Sequence, residues 1–336
     1  MRCFFMLFSL LLIVSYGCNH HKNSNIYSNK NKPGDHNVKI LIPDKWINDL
    51  LRFNYTRNDS IQLHDFDSIV KPDGLTNPHA QHVDPGYGKV FNAMSVDLDS
   101  DGTNEIICIL GWDVGYPTLC VFKQEEGDWF LIYKEDIETV NGSSPLYVAN
   151  NFSKNKVFYL KYVDGYGTGV YEDRWIFYKL INNRVYKCLD LLNGALGVGG
   201  TKINEEVNTS FELSGDDSDW IWVNYKYNFS PGLLDGKCCD CCSGEDVPLI
   251  AGEGWVDYKW DQKTLTYKLD IPSWKNQVDD LTAAKIACFG TTVEDKVFVN
   301  AFKTQINDKL KTGTPLQKKL LEKYMAIVKR NKGYSQ

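Results

Sequence analysis

A short acidic segment with one glycine carries the clearest chemistry in this chain. The segment DLDSDGTNE (residues 97–105) places three aspartates at alternate positions and ends in a glutamate. Alternate carboxylates can converge on one ion if the backbone wraps tightly, and Gly102 permits that wrap. Oxygen ligands at this density suit Ca²⁺. The alternative is an acidic turn in which the aspartates cap the backbone without a metal.

The residues that flank this segment indicate which kind of calcium loop it resembles. An EF-hand would have a glutamate at the twelfth position, which is Cys108 here. The segment instead resembles the calcium loop of FG-GAP (integrin α-type) propeller repeats, in which Asp-x-Asp-x-Asp-Gly-x-x-Asp/Glu lies between two strands. The flanking runs FNAMSV (91–96) and IICIL (106–110) fit that context. The resemblance covers one repeat and implies a structural calcium ion. The ligands that it implies are Asp97, Asp99, Asp101, Glu105 and, through its carbonyl, Thr103.

Cysteine is the second distinctive residue type, with ten in the chain. Two belong to the N-terminal apolar segment described below. An even number of the others favours disulfides if the chain is exported, which the N-terminal segment predicts. Cys108 and Cys120 flank residues 111–117 about equally, so a hairpin would place them opposite each other. The disulfide candidates are Cys108, Cys120, Cys188, Cys238, Cys239, Cys241, Cys242 and Cys288.

The cluster Cys238–Cys242 has a second interpretation. Four thiolates this close in sequence could hold a soft metal such as Zn²⁺ or Cu⁺. A tetrahedral cage from five consecutive residues is sterically awkward, because adjacent side chains point apart. Disulfides from this loop to other segments are favoured, with Cys188 and Cys288 as candidate partners.

Residue sets typical of enzymes are weakly represented. All six histidines lie at or before residue 82, so a catalytic dyad would depend on His64, His79 or His82. The glycine-rich run 194–200 lacks the Lys-Ser/Thr of a phosphate loop. The stretch DGYGTGVYEDRW (164–175) could line a glycosidase cleft, since carboxylates beside aromatic rings suit sugars. We assign no catalytic residue from the sequence.

The N-terminal residues MRCFFMLFSLLLIVSYGC (1–18) predict export. Arg2 precedes an apolar run that ends at Val14, and this run is shorter than the roughly 20 residues of a membrane-spanning helix. The segment resembles the signal of bacterial lipoproteins, in which a cysteine after a small residue is lipidated and becomes the N-terminus. That resemblance implies a signal peptide over 1–17, a lipid on Cys18 and attachment to the bacterial outer membrane, on its periplasmic or surface face. Ordinary cleavage after Gly17 is the alternative.

Composition predicts a flexible tether over residues 18–39, because this segment has too few apolar side chains to offset the entropy of ordering. A β-rich domain over 40–275 and a helical segment over 276–336 follow. The chain has 37 basic and 43 acidic residues, a net charge of −6. The basic residues are dispersed, which argues against a nucleic acid partner.

Alternating apolar positions predict that the middle of the chain consists of strands. The predicted strands are 105–110, 118–123, 129–134, 157–163, 174–180, 184–189, 208–213, 220–229, 255–260 and 265–269. Three segments look like one hairpin repeated, at 120–134, 175–191 and 256–270. In each, an aromatic-rich strand meets a short polar turn and a second strand.

These hairpins predict a mainly β fold built from four-stranded antiparallel units. Such units fit the blades of a β-propeller, and an irregular sandwich of the same hairpins is the alternative. Helical spacing predicts a short helix over Asp44–Phe53 and a C-terminal cap of helices over 279–289, 294–310 and 315–329.

Two classes of function are compatible with these features. The favoured one is a non-enzymatic binding or scaffold lipoprotein, tethered to the membrane by its lipid, with a calcium-stabilised domain that contacts an unknown protein or glycan. The rival is a hydrolase of the cell envelope or of polysaccharides that uses paired carboxylates as acid and base.

Overall fold

The described part of the chain is mainly antiparallel β-structure, as the sequence predicted. The computed structural model describes residues 36–52, 62–70, 88–111, 117–137, 146–149, 156–167, 170–197, 203–214, 220–232, 247–270, 298–300 and 302–330. Within these ranges the strands form two sheets, and the helices lie near the two ends of the described chain.

The first sheet has six strands in the order β1-β6-β5-β4-β3-β2. Its strands are β1 (Asn37–Ile42), β2 (Gln62–Leu63), β3 (Gly88–Val96), β4 (Glu105–Gly111), β5 (Thr118–Glu125) and β6 (Asp128–Asp136). Two short helices, α1 (Asp44–Leu51) and α2 (Phe66–Ile69), cover one face of this sheet. Trp46 of α1 and Phe66 of α2 pack there in one core cluster with Phe122.

The second sheet is a meander of eight strands, each paired with the next along the chain. Its strands are β7 (Leu146–Ala149), β8 (Val157–Gly167), β9 (Val170–Ile181), β10 (Arg184–Gly197), β11 (Ile203–Leu213), β12 (Trp220–Pro231), β13 (Ile250–Asp261) and β14 (Thr266–Leu269).

The two sheets pack against each other through a shared apolar cluster. Ile107 and Val121 of the first sheet lie in this cluster with Phe158 and Tyr178 of the second. The hydroxyl group of Tyr178 donates a hydrogen bond to Glu135 of the first sheet at 2.8 Å. This packing explains why β4 is buried along its whole length, since its two faces enter different cores.

The three predicted hairpins are present, and the turns of the first two have two consecutive residues with positive φ. Glu126 and Gly127 have φ of 54° and 96°, and Asn182 and Asn183 have φ of 50° and 61°. Two consecutive residues with positive φ form the turn type that matches the twist of adjacent strands, and glycine and asparagine tolerate it best. The third hairpin joins β13 to β14.

The chain ends in helices α3 (Lys303–Thr312) and α4 (Pro315–Arg330), so the predicted helical C-terminal segment is confirmed in this part. Thr314 and Gln317 exchange hydrogen bonds between side chain and backbone at 3.2 and 2.9 Å, which is a capping box at the start of α4. Tyr324 of α4 is fully buried in the core cluster that contains Phe229 of β12. The helix predicted over 279–289 lies outside the described residues.

The fold differs from the sequence prediction at two points. Strand β1 begins at Asn37, so the folded domain starts inside the segment predicted as a tether. The strands do not separate into four-stranded units, because successive pairings continue without a break into sheets of six and eight strands. Hydrophobic periodicity identifies a strand but leaves its neighbours undetermined.

The buried ring of Tyr324 provides a test of this packing. We expect Tyr324→Ala to lower the free energy of unfolding by about 3–5 kcal/mol, because the lost aromatic ring leaves a cavity under β12. The exposed Glu322 of the same helix gives a matched control, since Glu322→Ala should change stability by less than about 0.5 kcal/mol. Urea denaturation measures both, and equal stability of the two variants would contradict the packing of α4 on the sheet.

Candidate metal centre

The acidic segment forms the turn between β3 and β4. Val96 and Glu105 are directly paired across these strands, so the residues between them close the hairpin. Ser100 and Gly102 have positive φ, of 61° and 91°. Nothing lies within 4 Å of the position that a Cβ of Gly102 would take, so its φ and not crowding favours glycine there.

Two aspartate side chains hold the turn in shape. The carboxylate of Asp97 accepts hydrogen bonds from the backbone N–H groups of Asp101 and Gly102, at 3.2 and 3.1 Å. One oxygen of Asp101 accepts the N–H of Thr103 at 2.8 Å. These are the local side-chain contacts by which aspartates stabilise turns. The metal-free interpretation of the sequence therefore describes part of this loop.

The side-chain ammonium group of Lys123 lies among the remaining carboxylates. Its Nζ is 2.7 Å from Asp99 Oδ2, 2.8 Å from Asp101 Oδ2 and 2.9 Å from Glu105 Oε1. Lys123 belongs to β5, and the pairing of β4 with β5 brings it beside Glu105. An ammonium group has three N–H donors, so each donor has a carboxylate partner.

Burial strengthens the interactions within this ion cluster, because little water screens the charges. Glu105 is fully buried, and its second oxygen accepts the N–H of Leu98 at 2.8 Å. Burial raises the pKa of Glu105 although the hydrogen bonds from Lys123 and Leu98 oppose it. Burial alone would lower the pKa of Lys123, but hydrogen bonds to Asp101, Asp99 and Glu105 outweigh it and the pKa is raised. Lys123 therefore stays a cation at neutral pH.

The predicted calcium ligands come together in part. Asp97, Asp99 and Glu105 each have a carboxylate oxygen within 4.8 Å of those of the other two. Asp99 Oδ1 is buried and has no hydrogen-bond partner. Asp101 directs one oxygen to Lys123, and Thr103 contributes its N–H to the turn. Calcium takes six to eight oxygens. These residues can therefore bind a calcium ion only if the ammonium group of Lys123 moves away from Asp99, Asp101 and Glu105.

Lys123 is the residue of the site that sequence reasoning missed. It lies in the run TLCVFKQE, directly after residues that are buried in β5. A lysine inside a strand of this kind, next to a strand that begins with a glutamate, is a signal for a buried ion pair, since buried charges are found paired. The signal is usable only when the pairing of β4 with β5 is known.

Cys108 and Cys120 lie directly opposite each other in β4 and β5 and are fully buried. Burial, together with the neighbouring Cys120 thiol, raises the pKa of Cys108 well above its ordinary value. The thiols are not bonded to each other in this structure, and a disulfide between them stays a prediction. The thiol of Cys188 donates to the carbonyl of Phe177 at 3.2 Å. The other predicted sites, Cys18, Cys238, Cys239, Cys241, Cys242 and Cys288, lie outside the described residues.

The acidic and aromatic stretch 164–175 places two carboxylates inside β9. Glu172 is paired with Arg174 at 2.7 Å, and Asp173 is paired with Lys161. Both carboxylates are buried, although the side chain of Lys161 is 36% exposed. Neighbouring residues of a strand point to opposite faces, which separates these two groups. The stretch does not present them as an acid and base pair across one cleft.

The remaining sequence candidates do not combine into a site among the described residues. The backbone carbonyl of His64 accepts a hydrogen bond from the indole of Trp46 at 2.7 Å. His79 and His82 lie outside the described ranges. The first half of the glycine-rich run 194–200 belongs to β10.

Comparisons with known proteins add no family to this geometry. The chain matches no protein-family model, and no curated protein or solved structure is similar enough to count as a match. Within the described ranges, the chain contains no helix with the length and apolar character needed to span a membrane.

Removing the ammonium group tests the ion cluster. We expect Lys123→Met to lower the free energy of unfolding by about 3–5 kcal/mol in the absence of calcium, because it leaves Glu105 buried without its cation. Adding Glu105→Gln to that variant should recover part of the loss, since the amide carries no charge. Urea denaturation in chelator measures both effects.

Lys39 offers the matched control for this substitution. It pairs with Glu125 at 2.6 Å, but its side chain is 61% exposed. Exposed pairs contribute about 1 kcal/mol or less, so Lys39→Met should cost little. If Lys123→Met were as stable as Lys39→Met, the cluster would not hold the turn as described.

Proposed function

We propose that this protein is an exported binding protein, tethered to the membrane by a lipid on Cys18, that has no enzymatic activity of its own. The N-terminal pattern of residues 1–18 and the polar segment after it support the anchor. The fold supports binding, because two packed sheets present a large and regular surface.

The distribution of exposed apolar side chains is the observation that carries this proposal. In the described ranges, five large apolar residues with more than a third of their surface exposed lie on the second sheet, and four are aromatic. They are Tyr147, Tyr171, Leu196, Trp222 and Trp255. Exposed apolar groups that gather on one element of a protein are typical of interaction surfaces. The second sheet is therefore the proposed binding element.

The acidic turn has a supporting role in this proposal. We infer that Ca²⁺ binds there in exchange for the ammonium group of Lys123. The turn holds four carboxylates, those of Asp97, Asp99, Asp101 and Glu105, and the one lysine contacts only the last three. The turn therefore keeps an excess of negative charge. The buried oxygen of Asp99 without a hydrogen-bond partner offers a ligand that Lys123 does not use. Calcium would stabilise the turn and take no part in recognition.

Competition between calcium and Lys123 gives a specific prediction. Calcium should raise the melting temperature of Lys123→Met more than that of the wild type, because the variant has no internal cation to displace. An ion at a hundred times its dissociation constant adds about 2.7 kcal/mol to the stability. Asp99→Ala, added to Lys123→Met, should abolish most of this gain. Melting curves that are identical in calcium and in chelator for both the wild type and Lys123→Met would refute the site.

The anchor predicts where the protein is found in the cell. The wild type should incorporate labelled fatty acid and sediment with the membrane fraction, whereas Cys18→Ala should lose the label and become soluble. Unchanged membrane association of Cys18→Ala, with no label in either form, would contradict the anchor.

The soluble Cys18→Ala chain also tests the binding function. We expect it to co-sediment with isolated cell-envelope material at micromolar concentration. A chain that stays in the supernatant at all concentrations would contradict a binding role, and turnover of envelope polymers by the protein would favour the hydrolase instead.

A further inference from the structure

One face of β11, β12 and β13 carries two exposed tryptophans. Directly paired residues of antiparallel strands lie on the same face. Trp222 is paired with Asp257, and Asn224 is paired with Trp255, so these four side chains share one face. Trp222 is 41% exposed and Trp255 is 43% exposed. This surface, termed the tryptophan face, comprises the even-numbered residues of β11 and β12 and the odd-numbered residues of β13.

The opposite face of the same strands is the core. Ile221, Val223 and Val256 point away from the tryptophan face and are buried in the largest apolar cluster. The two tryptophans are therefore not core residues that happen to be exposed. They are diagonal neighbours on adjacent strands, which places their rings within reach of one ligand.

Asn224 lies between the tryptophans and has a polar atom that no protein group satisfies. The residue is only 6% exposed. Its amide nitrogen donates to Glu253 Oε1 at 2.6 Å, and a carboxylate accepts only from the nitrogen, so this contact fixes the orientation of the amide. Its Oδ1 is buried and has no hydrogen-bond partner. A buried acceptor of this kind is costly unless something donates to it.

Two more asparagines on this face repeat the pattern. Asn204 Oδ1 and Asn228 Oδ1 are also buried without a hydrogen-bond partner. The amide nitrogen of Asn204 donates to the carbonyl of Pro231 at 3.2 Å, which again leaves the oxygen as the unsatisfied atom. The tryptophan face thus holds three amide oxygens that a ligand with several donors could satisfy.

The charges on the face restrict the class of ligand. Carboxylates outnumber lysines there, and the charged residues are Glu206, Glu212, Glu253, Asp257, Asp261, Lys226 and Lys259. A polyanion such as nucleic acid or an acidic polysaccharide would be repelled. Carboxylate and amide oxygens instead match hydroxyl donors.

We propose that the tryptophan face binds a neutral glycan. Sugar rings stack their C–H faces on indole rings, and their hydroxyl groups donate hydrogen bonds to oxygens at the edge of the stack. Trp222 and Trp255 supply the stacking surface, and Asn224 supplies the buried acceptor between them. This inference rests on the proposed binding function and names the ligand class of the second sheet.

The geometry also predicts how the ligand enters. Asn224 Oδ1 is buried, so a sugar hydroxyl reaches it only when a neighbouring side chain moves. Stacking of a sugar on the indole rings should in addition change the fluorescence of Trp222 and Trp255. The change should be absent when Trp222 and Trp255 are both replaced.

The test uses the soluble Cys18→Ala chain on an array of immobilised neutral glycans, with heparin as the polyanion. We expect binding to at least one neutral glycan and none to heparin. In that background, Trp222→Ala/Trp255→Ala should weaken binding at least tenfold, and Asn224→Ala about fivefold. Leu316→Ala removes a similarly exposed apolar side chain, 40% exposed, from α4 and should bind as the unmutated chain does.

The outcomes separate this inference from the function on which it rests. The conservative Trp222→Phe/Trp255→Phe should keep part of the affinity, which excludes misfolding as the cause of loss in the alanine variant. No neutral glycan bound, a preference for heparin, or unchanged binding by the alanine variant would overturn the glycan assignment. If the alanine variant still co-sediments with the envelope, the binding function is supported but the assignment of a neutral glycan to the tryptophan face is wrong.

Discussion

The ion cluster around Lys123 is the interaction on which the first sheet depends. Glu105 begins β4, a strand whose alternate residues enter two different cores. A carboxylate at the start of such a strand has no access to water and requires a charged partner inside the protein. Lys123 on the adjacent strand supplies it, and the same ammonium group draws in Asp99 and Asp101. One cation therefore joins the turn, β4 and β5.

Lys123 and the calcium ion that we propose to replace it would meet the same electrostatic demand in different ways. The lysine brings one charge and three directional donors, and it is always present because it belongs to the chain. A calcium ion brings two charges and binds more oxygens, but its binding free energy must exceed the cost of breaking the contacts of Lys123 with its carboxylates. Which cation is favoured depends on two features of the turn. They are the oxygen of Asp99 that has no hydrogen-bond partner and the negative charge that Lys123 does not neutralise. The acidic pattern alone does not reveal this competition, because the competing cation lies outside it.

The two faces of the second sheet differ, because one enters a core and the other carries exposed aromatic side chains. Antiparallel sheets commonly bury one face and leave the other in solvent. The C-terminal helices cover one side of β12, where the ring centroids of Phe229 and Phe302 are 5.0 Å apart. The tryptophan face lies on the other side of this strand. The helical tail thus covers one face of this strand, and the aromatic residues on the other face are those for which we propose contact with a ligand.

Local properties of the sequence determined the strands, the turns and the acidic loop. Each of these signals is contained in one short segment. Examples are the alternation over Trp220–Phe229, the turn residues Asn182 and Asn183, and the carboxylates of residues 97–105. The tertiary structure decided the rest. It brought β1 beside β6, gathered the strands into sheets of six and eight, and placed Lys123 in the acidic turn. Such long-range pairings depend on which faces become buried together, and the periodicity of a single segment does not contain that information.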